Sequence, residues 1–272
     1  ATTRMVLDQF SVPGRGMGAN GLVRIPFAEG NTLEIGFDAR AMKGETNERN
    51  RNLGQGFTRL RVAGGKEALF GGYAEYINDF NPKVTFTAGL RWDYWSTSNG
   101  QRFETDTVNN VVVRQDDIED RSGSLMNARA GVGYHIYENV TLKASAYSGF
   151  RLPTINEFFR PFRVGNDITE ANPDLEPEKL KGIDFGVEFD VRDQLYLTIG
   201  YFYNKLENGV GNVTLAFGPG FFPPTGFVPS GGSLRQRQNI DEIVAQGVEI
   251  SLKTQITNNL RFEGSVVSGT AV

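Results

Sequence analysis

Apolar and polar residues alternate along the segment Val84-Thr85-Phe86-Thr87-Ala88-Gly89-Leu90-Arg91-Trp92-Asp93-Tyr94. Successive side chains of a β-strand point to opposite faces, so this period of two predicts a strand with one apolar and one polar face. Further alternating segments lie near 32–42, 130–136, 140–149, 181–191, 195–206 and 239–254. Repetition on this scale predicts an all-β protein.

The connections between the predicted strands alternate in length. Ten strands are predicted near residues 21–28, 32–42, 69–79, 84–97, 124–136, 140–149, 181–191, 195–206, 239–254 and 260–270. Short turns cover 29–31, 80–83, 137–139, 192–194 and 255–259, whereas structureless long loops are expected over roughly 43–68, 98–123, 150–180 and 207–238. Short turns at one end and long loops at the other are typical of outer-membrane barrels.

A soluble β-sandwich would also show alternation, because its apolar faces meet inside the protein. Three features favour a membrane barrel instead: strands of about 10 residues, a polar face rich in glycine and in charges of both signs, and aromatic residues near strand ends. Those aromatic residues are Phe27, Trp92, Tyr94, Trp95, Tyr137, Tyr201 and Tyr203. The sequence therefore predicts a transmembrane, antiparallel up-and-down β-barrel.

Composition excludes several other classes of protein. The 272 residues include no cysteine and one histidine, and the net charge is -4. A disulfide framework and a thiolate metal site are thereby excluded, and the charge gives no attraction to nucleic acid. His135 falls on the polar face beside a short turn, where we expect a hydrogen-bonded wall residue. No nucleophile–base pair can be built around it, so no enzymatic activity is predicted.

Both ends of the sequence lead us to expect an interior fragment. Residues 1–5 lack the apolar stretch of a signal peptide. The last residues, Ser265–Val272, follow a strand pattern that has no terminal aromatic residue. A lumen lined by charged side chains also suits a barrel wider than ten strands would close.

Four segments resemble motifs of the TonB-dependent receptor family. Ser148–Phe159 (SGFRLPTINEFF) is similar to the family's GFRxPTxxELF segment, and Asn172–Glu178 (NPDLEPE) to its NPxLxPE segment. Ala88–Asp93 (AGLRWD) resembles the aGlRyD strand, and Asn239–Glu249 resembles the strand start that contains GxE. The four motifs occur in the family's order across about residues 70–262.

The resemblance implies a fragment of a 22-stranded barrel in the bacterial outer membrane. Residues 1–272 would form part of the barrel, while the plug domain and the terminal strands lie outside this chain. Implied partners are membrane lipid and lipopolysaccharide, the protein's own plug, the inner-membrane TonB complex and a small-molecule ligand. Implied function is active uptake of a scarce ligand, with a ferric siderophore first. Cobalamin or carbohydrate uptake and a passive porin-like channel are the alternatives.

Residues between the first two motifs are candidates for ligand contact. Arginine binds carboxylate or phosphate through paired hydrogen bonds, and aromatic rings add flat apolar area, so both suit an anionic, partly aromatic chelate. The predicted ligand-binding residues are Arg160, Phe162, Arg163, Phe221, Phe222, Arg235 and Arg237. A solvated loop, or contacts with lipopolysaccharide phosphates, is the alternative for the arginines. Heme-uptake members carry a histidine between the two motifs, and none occurs between Pro153 and Asn172 here.

Two further groups of residues have a structural or a metal-binding interpretation. The motifs themselves would order a long loop and fasten it to the barrel rim. The residues assigned to that scaffold are Phe150, Arg151, Pro153, Glu157, Asn172 and Pro173. A calcium ion is considered at the acidic run Asp116, Asp117, Glu119 and Asp120, with a solvated loop as the alternative.

Overall fold

The computed structural model describes residues 7–52, 54, 56–191, 195–257 and 259–272. The elements in chain order are β1 (Leu7–Ser11), β2 (Gly14–Ala28), β3 (Asn31–Asn52), β4 (Phe57–Asn81), β5 (Val84–Asp106), β6 (Val111–Ile118), β7 (Arg121–Tyr137), β8 (Val140–Arg151), α1 (Ile155–Phe159), β9 (Phe162–Val164), β10 (Asp167–Glu170), β11 (Glu178–Val191), β12 (Leu195–Phe217), β13 (Gly220–Phe222), β14 (Gly226–Val228), β15 (Ser233–Thr257) and β16 (Leu260–Ala271). No helix in this described part of the chain is long and apolar enough to cross a membrane.

The ten long strands form one antiparallel wall. Their order is β2, β3, β4, β5, β7, β8, β11, β12, β15 and β16, so each pairs with its neighbour in sequence. β1 pairs with β3 beyond the end of β2, and β6 pairs with the far end of β5. Among the described residues β2 and β16 do not pair, so the wall is open. The predicted all-β, up-and-down architecture with ten strands is confirmed.

Each strand of the wall has an apolar outer face and a polar inner face. Ile35 and Phe37 on the outer face are 47% and 46% exposed. On the inner face, Arg91 lies 2.6 Å from Asp38 and 2.5 Å from Asp93. These inward charges therefore pair with one another, and Lys143 pairs with Glu188 at 2.6 Å in the same way. His135 also has its expected role, because its Nδ1 lies 2.7 Å from Thr141 Oγ1.

The long connections are mostly not the structureless loops that the sequence predicted. β3 and β4 run for 22 and 25 residues and continue as a hairpin to a tip near residue 54. Over 43–52 and 57–68, over 98–106 and 111–118, and over 207–217 and 233–238, the wall extends as paired strands because neighbouring backbones keep donating and accepting hydrogen bonds. Both faces there carry polar residues, so the alternation that marks a strand in the sequence is lost. We call this end of the wall the rim.

Trp95, one of the aromatic residues noted near strand ends, does not lie on the outer face. Its side chain is 4% exposed and packs on the inner face against Leu69 and Leu152. By contrast, Phe27, Trp92, Tyr94, Tyr137 and Tyr201 are exposed. Of the predicted short turns, 192–194 lies outside the described residues, as does Asn258 of the last turn.

Candidate functional site

The connection from β8 to β11 folds back over the inner face of the rim. We call residues 152–177 the inner loop. Its side chains Phe158, Phe159 and Leu175 are at most 2% exposed and form one apolar cluster. The ring of Phe159 lies on Gly65 and Gly100, where an added Cβ would come within 2.5 Å of the ring in each case. Glycine on two neighbouring strands therefore makes the seat for the loop.

Hydrogen bonds that the motif supplies start and fix the inner loop. Thr154 caps α1, since its hydroxyl accepts from the Glu157 amide at 3.3 Å and its own amide donates to Glu157 Oε2 at 2.7 Å. Arg151 pairs with Glu157 at 2.9 Å and also with Glu178. Burial raises the pKa of Glu157, but its bonds with Arg151 and Thr154 outweigh burial and leave the pKa lowered.

The other residues of the predicted scaffold lie in the same structure. Pro153 is fully buried, and Phe150 packs against the cluster around Trp95. Asn172 Oδ1 accepts from the amide of Asp174 at 3.0 Å, which closes a local turn. The carbonyl of Pro173 accepts from Arg121 at 2.6 Å. These contacts tie both ends of the inner loop to the wall.

Arg160 faces the wall rather than the open side of the rim. Its guanidinium donates to Glu48 of β3, with an Nε to Oε1 distance of 2.8 Å, and its side chain is 17% exposed. Glu48 is 1% exposed and also accepts from Arg61 at 2.6 Å and from Gln9 at 2.9 Å. The guanidinium of Arg160 is therefore already paired with a carboxylate of the protein.

Arg163, three residues further, is exposed and has no carboxylate partner within 4.0 Å in the part of the chain that the structure describes. Its Nε donates to the carbonyl of Gly165 at 3.0 Å. Loss of hydration beside the loop lowers the pKa of its guanidinium, and the neighbouring charge of Arg51 lowers it further. Arg163 is thus a cation beside a second cation at the rim.

Arg237 and Phe162 hold the middle of the inner loop. The Arg237 guanidinium lies 5.0 Å from the ring centroid of Phe162. It also donates to the carbonyls of Asn156 at 2.5 Å and Arg160 at 3.0 Å. Burial lowers the pKa of Arg237. Both residues therefore make contacts within the protein, and the edge of Phe162 remains half-buried.

The connection from β12 to β15 carries the remaining candidates. Phe221 is 70% exposed, whereas Phe222 packs on the buried cluster of Ile168, Val228 and Leu234. Arg235 lies 3.3 Å from Asp167. β10 pairs in parallel with β15, with Ile168 opposite Leu234, so this connection and the inner loop share backbone hydrogen bonds.

The acidic run on β6 does not converge on one point. Asp116 pairs with Arg102 at 3.0 Å and with Arg114 at 2.7 Å. Asp117 is the next residue of the strand and faces the other side. Asp120 accepts from the amide of Asn99 at 2.9 Å. Within the described ranges no group of three or more His, Cys, Asp or Glu side chains could hold a metal ion.

Two hydrogen-bond donors at the rim were not predicted from the sequence. Asn50 and Arg59 face each other across β3 and β4 on the inner face. Asn50 Nδ2 and one terminal nitrogen of Arg59, Nη1, are buried and have no hydrogen-bond partner among the described residues. The other terminal nitrogen of Arg59 lies 3.5 Å from Asp106. Asn50 and Arg59 lie in what reads as a polar loop, so nothing in the sequence distinguished them.

The wall, its two faces and the loop inside its rim together define the class of protein. An open antiparallel sheet with an apolar outside, an ion-paired inside and an inward-folded loop is part of a large β-barrel. A family model described as "TonB dependent receptor-like, beta-barrel" matches residues 7–270. The chain belongs to the TonB-dependent receptor family, whose members are transporters and receptors rather than enzymes.

Solved structures of similar fold are transport proteins. The copper transporter OprC superposes with a TM-score of 0.73 at 16% identity, over 96% of this chain and 38% of that chain. The FrpB iron transporter from Neisseria meningitidis gives 0.64 at 18%, over 96% and 36%. The ferric yersiniabactin uptake receptor FyuA from Yersinia pestis gives 0.62 at 13%, over 96% and 36%. The chain spans less than half the length of these relatives. No protein of curated function matches its sequence.

Proposed function

We propose that this chain is the ligand-binding part of the barrel of an outer-membrane receptor that takes up a ferric siderophore. Its partners would be the plug domain, the inner-membrane TonB complex, and the lipid and lipopolysaccharide around the barrel. The observation that carries the proposal is Arg163, an exposed guanidinium at the rim that has no carboxylate within 4.0 Å among the described residues. Asn50 Nδ2 and Arg59 Nη1 lie at the same rim as enclosed donors without a partner among those residues.

Donors of this kind favour an anionic ligand. An exposed guanidinium without a carboxylate partner can donate charge-assisted hydrogen bonds to anionic oxygen atoms, and these bonds are stronger than those between neutral groups. Ferric chelates carry anionic oxygen donors, and many carry aromatic rings. Phe221 and Phe227, 70% and 53% exposed at the same rim, offer apolar surface to such rings. FrpB is an iron transporter and FyuA is a ferric yersiniabactin uptake receptor, and both agree with this ligand class.

A passive channel is less consistent with this structure. The inner loop lies over the inner face and is fastened through Glu48, Glu157 and the Phe159 seat. An open pore would keep that space filled with water. A loop packed this firmly forms a floor beneath the rim donors, which suits a binding site.

The test compares substitutions of Arg163 and of Arg160 in the full-length receptor. In a strain that lacks the gene, growth under iron limitation is measured with a panel of purified ferric siderophores as sole iron sources. Wild type should restore growth on at least one chelate. Arg163→Ala should bind that chelate about tenfold to a hundredfold more weakly and grow poorly, because it loses a charge-assisted bond.

Arg160→Ala serves as the matched variant because its side chain is already paired with Glu48. It should lower the stability of the inner loop. At equal amounts of folded receptor, it should not change which chelates support growth. If Arg163→Ala supports wild-type growth on every chelate, Arg163 is no ligand residue. If the gene restores growth on none of the chelates, iron uptake is excluded and cobalamin or carbohydrate uptake becomes the next hypothesis.

A further inference from the structure

Three cations lie side by side on the outer face of the wall. Arg15 of β2 faces Lys43 of β3, and Lys43 faces Lys66 of β4. All three side chains are exposed. Lys43 lies an even number of residues from Ile35 and Phe37 along β3 and therefore points to the same outer face. We call Arg15, Lys43 and Lys66 the basic row. Adjacent strands are about 4.8 Å apart, so the row spans roughly 10 Å.

The basic row has no carboxylate of the described chain within 4.0 Å. Glu45 lies two residues beyond Lys43 on the same face, but its oxygens accept from Asn47 at 2.9 Å and Gln101 at 3.5 Å. Like charges directly opposite each other on neighbouring strands destabilise a sheet. An anion from outside the chain would remove that repulsion.

A second lysine pair on the same face shows the usual solution. Lys181 of β11 lies opposite Lys205 of β12. Here two glutamates neutralise the pair: Lys181 lies 3.1 Å from Glu207, and Lys205 lies 2.6 Å from Glu242. The wall therefore supplies its own counter-charges at one lysine pair and supplies none at the other.

The basic row borders the apolar band of the outer face. The next positions toward the turns are Met17, Ala41 and Ala68, and Met17 is 78% exposed. From there the band continues along β3 to Leu33, a run of nine residues that corresponds to about 25 Å, the height of a membrane-facing band. Cations at its rim edge stand where lipid headgroups would lie.

We propose that Arg15, Lys43 and Lys66 bind a phosphate group of lipopolysaccharide in the outer leaflet. The inference rests on the proposed placement in the outer membrane and is independent of the transported ligand. Guanidinium and ammonium groups are the side chains that bind phosphate, the first by paired hydrogen bonds and the second as a point charge. Because the row crosses three strands, one headgroup would link β2, β3 and β4 from outside.

The test measures lipid binding to the purified full-length receptor in detergent by native mass spectrometry. The probes are lipopolysaccharide and the same lipid after enzymatic removal of its phosphates. Lys43→Gln/Lys66→Gln should bind intact lipid about 30-fold more weakly than wild type, since each surface cation adds to the attraction. Lys181→Gln/Lys205→Gln, the matched control, should bind it as wild type does.

Thermal unfolding gives an independent readout. Without lipid, Lys43→Gln/Lys66→Gln should unfold at a higher temperature than wild type, because a repulsion is gone. Added lipopolysaccharide should raise the Tm of wild type more than that of this variant. A structural role alone would predict a lower Tm in both conditions.

Three results would overturn the proposal. They are equal binding by wild type and Lys43→Gln/Lys66→Gln, equal binding of intact and dephosphorylated lipid, and full displacement by millimolar inorganic phosphate, which would make free phosphate the ligand. None of them depends on uptake, so failure of the siderophore proposal would leave this result readable. Cell fractionation that places the receptor outside the outer membrane would remove both proposals.

Discussion

The carboxylate of Glu48 joins the inner loop to the wall. It is 1% exposed and receives bonds from Gln9, Arg61 and Arg160. Glu48→Gln keeps the shape but removes the counter-charge of Arg160 and leaves Arg61 only Glu104, at 4.0 Å. We expect a loss of about 3 kcal/mol in the free energy of unfolding. Chemical denaturation of the full-length receptor checks this value, with Glu45→Gln, a more exposed change on the same strand, as the control.

The carboxylate of Glu48 also predicts that the stability of the inner loop depends on pH. Burial raises the pKa of Glu48, but the charge of Arg61 and the bonds from Gln9, Arg61 and Arg160 bring it below the ordinary value of 4.5. A lowered pKa gives stability that is complete above the ordinary pKa and is lost as the pH falls through the folded one. The protection factors of the amides of 155–164, which are the exchange rates corrected for the intrinsic rate at each pH, should therefore fall below about pH 4.5 in wild type.

Glu48→Gln should remove most of that loss of protection, since glutamine does not titrate. Glu157 also has a lowered pKa and adds to the same window, so a small pH dependence should remain. Protection factors that fall as steeply in the variant as in wild type would assign the effect to other groups.

Residue-level assignments were the hardest to make from the sequence. Arg160 and Glu48 are 112 positions apart, so no local pattern showed that they would pair. From the sequence, Arg160 and Arg163 were both predicted to contact the ligand. In the structure Arg160 pairs with Glu48, whereas Arg163 has no carboxylate partner among the described residues. The motif around Arg151 and Glu157 was interpretable because its partners are close in the chain.

At the level of elements, close packing of Phe159 on Gly65 makes a second prediction. An added methyl group at Gly65 would lie 2.5 Å from the ring, whereas nothing lies within 4 Å of one at Gly133 on the same inner face. Gly65→Ala should lower the free energy of unfolding by about 1–3 kcal/mol through displacement of α1. Gly133→Ala should change it little.

Hydrogen exchange at Phe158 and Phe159 distinguishes displacement of α1 from a general effect on the barrel. In Gly65→Ala these amides should exchange faster while the β7–β8 amides do not change. Uniform acceleration across both regions would contradict the assigned role of the glycine.

Strands were predicted well where one face is apolar and poorly where neither is. All ten long strands were found from alternation, and the turn at Gly30 came at the predicted place, with a positive φ of 68°. The rim extensions were missed because backbone pairing, and not side-chain burial, maintains them. Such pairing is set by the neighbouring strand, which a single sequence does not identify.

For the whole molecule, the arrangement predicts that the rim faces the outside of the cell and that the short turns face the periplasm. The chain contains no cysteine, so single cysteines can be introduced as probes. In intact cells that express the full-length receptor, Ser230→Cys at the rim should react with a membrane-impermeant maleimide. Glu138→Cys in a short turn should react only after the outer membrane is permeabilised. Labelling of Glu138→Cys in intact cells would reverse the proposed orientation.

The parallel pairing of β10 with β15 has a consequence for the order of folding. Within the inner loop, Ile168 lies opposite Leu234 and Arg160 binds Glu48, so the contacts of this loop reach far in both directions along the chain. Contacts between distant residues form slowly because chain closure costs entropy before they stabilise anything. The inner loop would then be the last part to order during biogenesis. Until then its phenylalanines would be accessible to chaperones and periplasmic proteases, which makes assembly time as much a constraint on this sequence as the stability of the finished barrel.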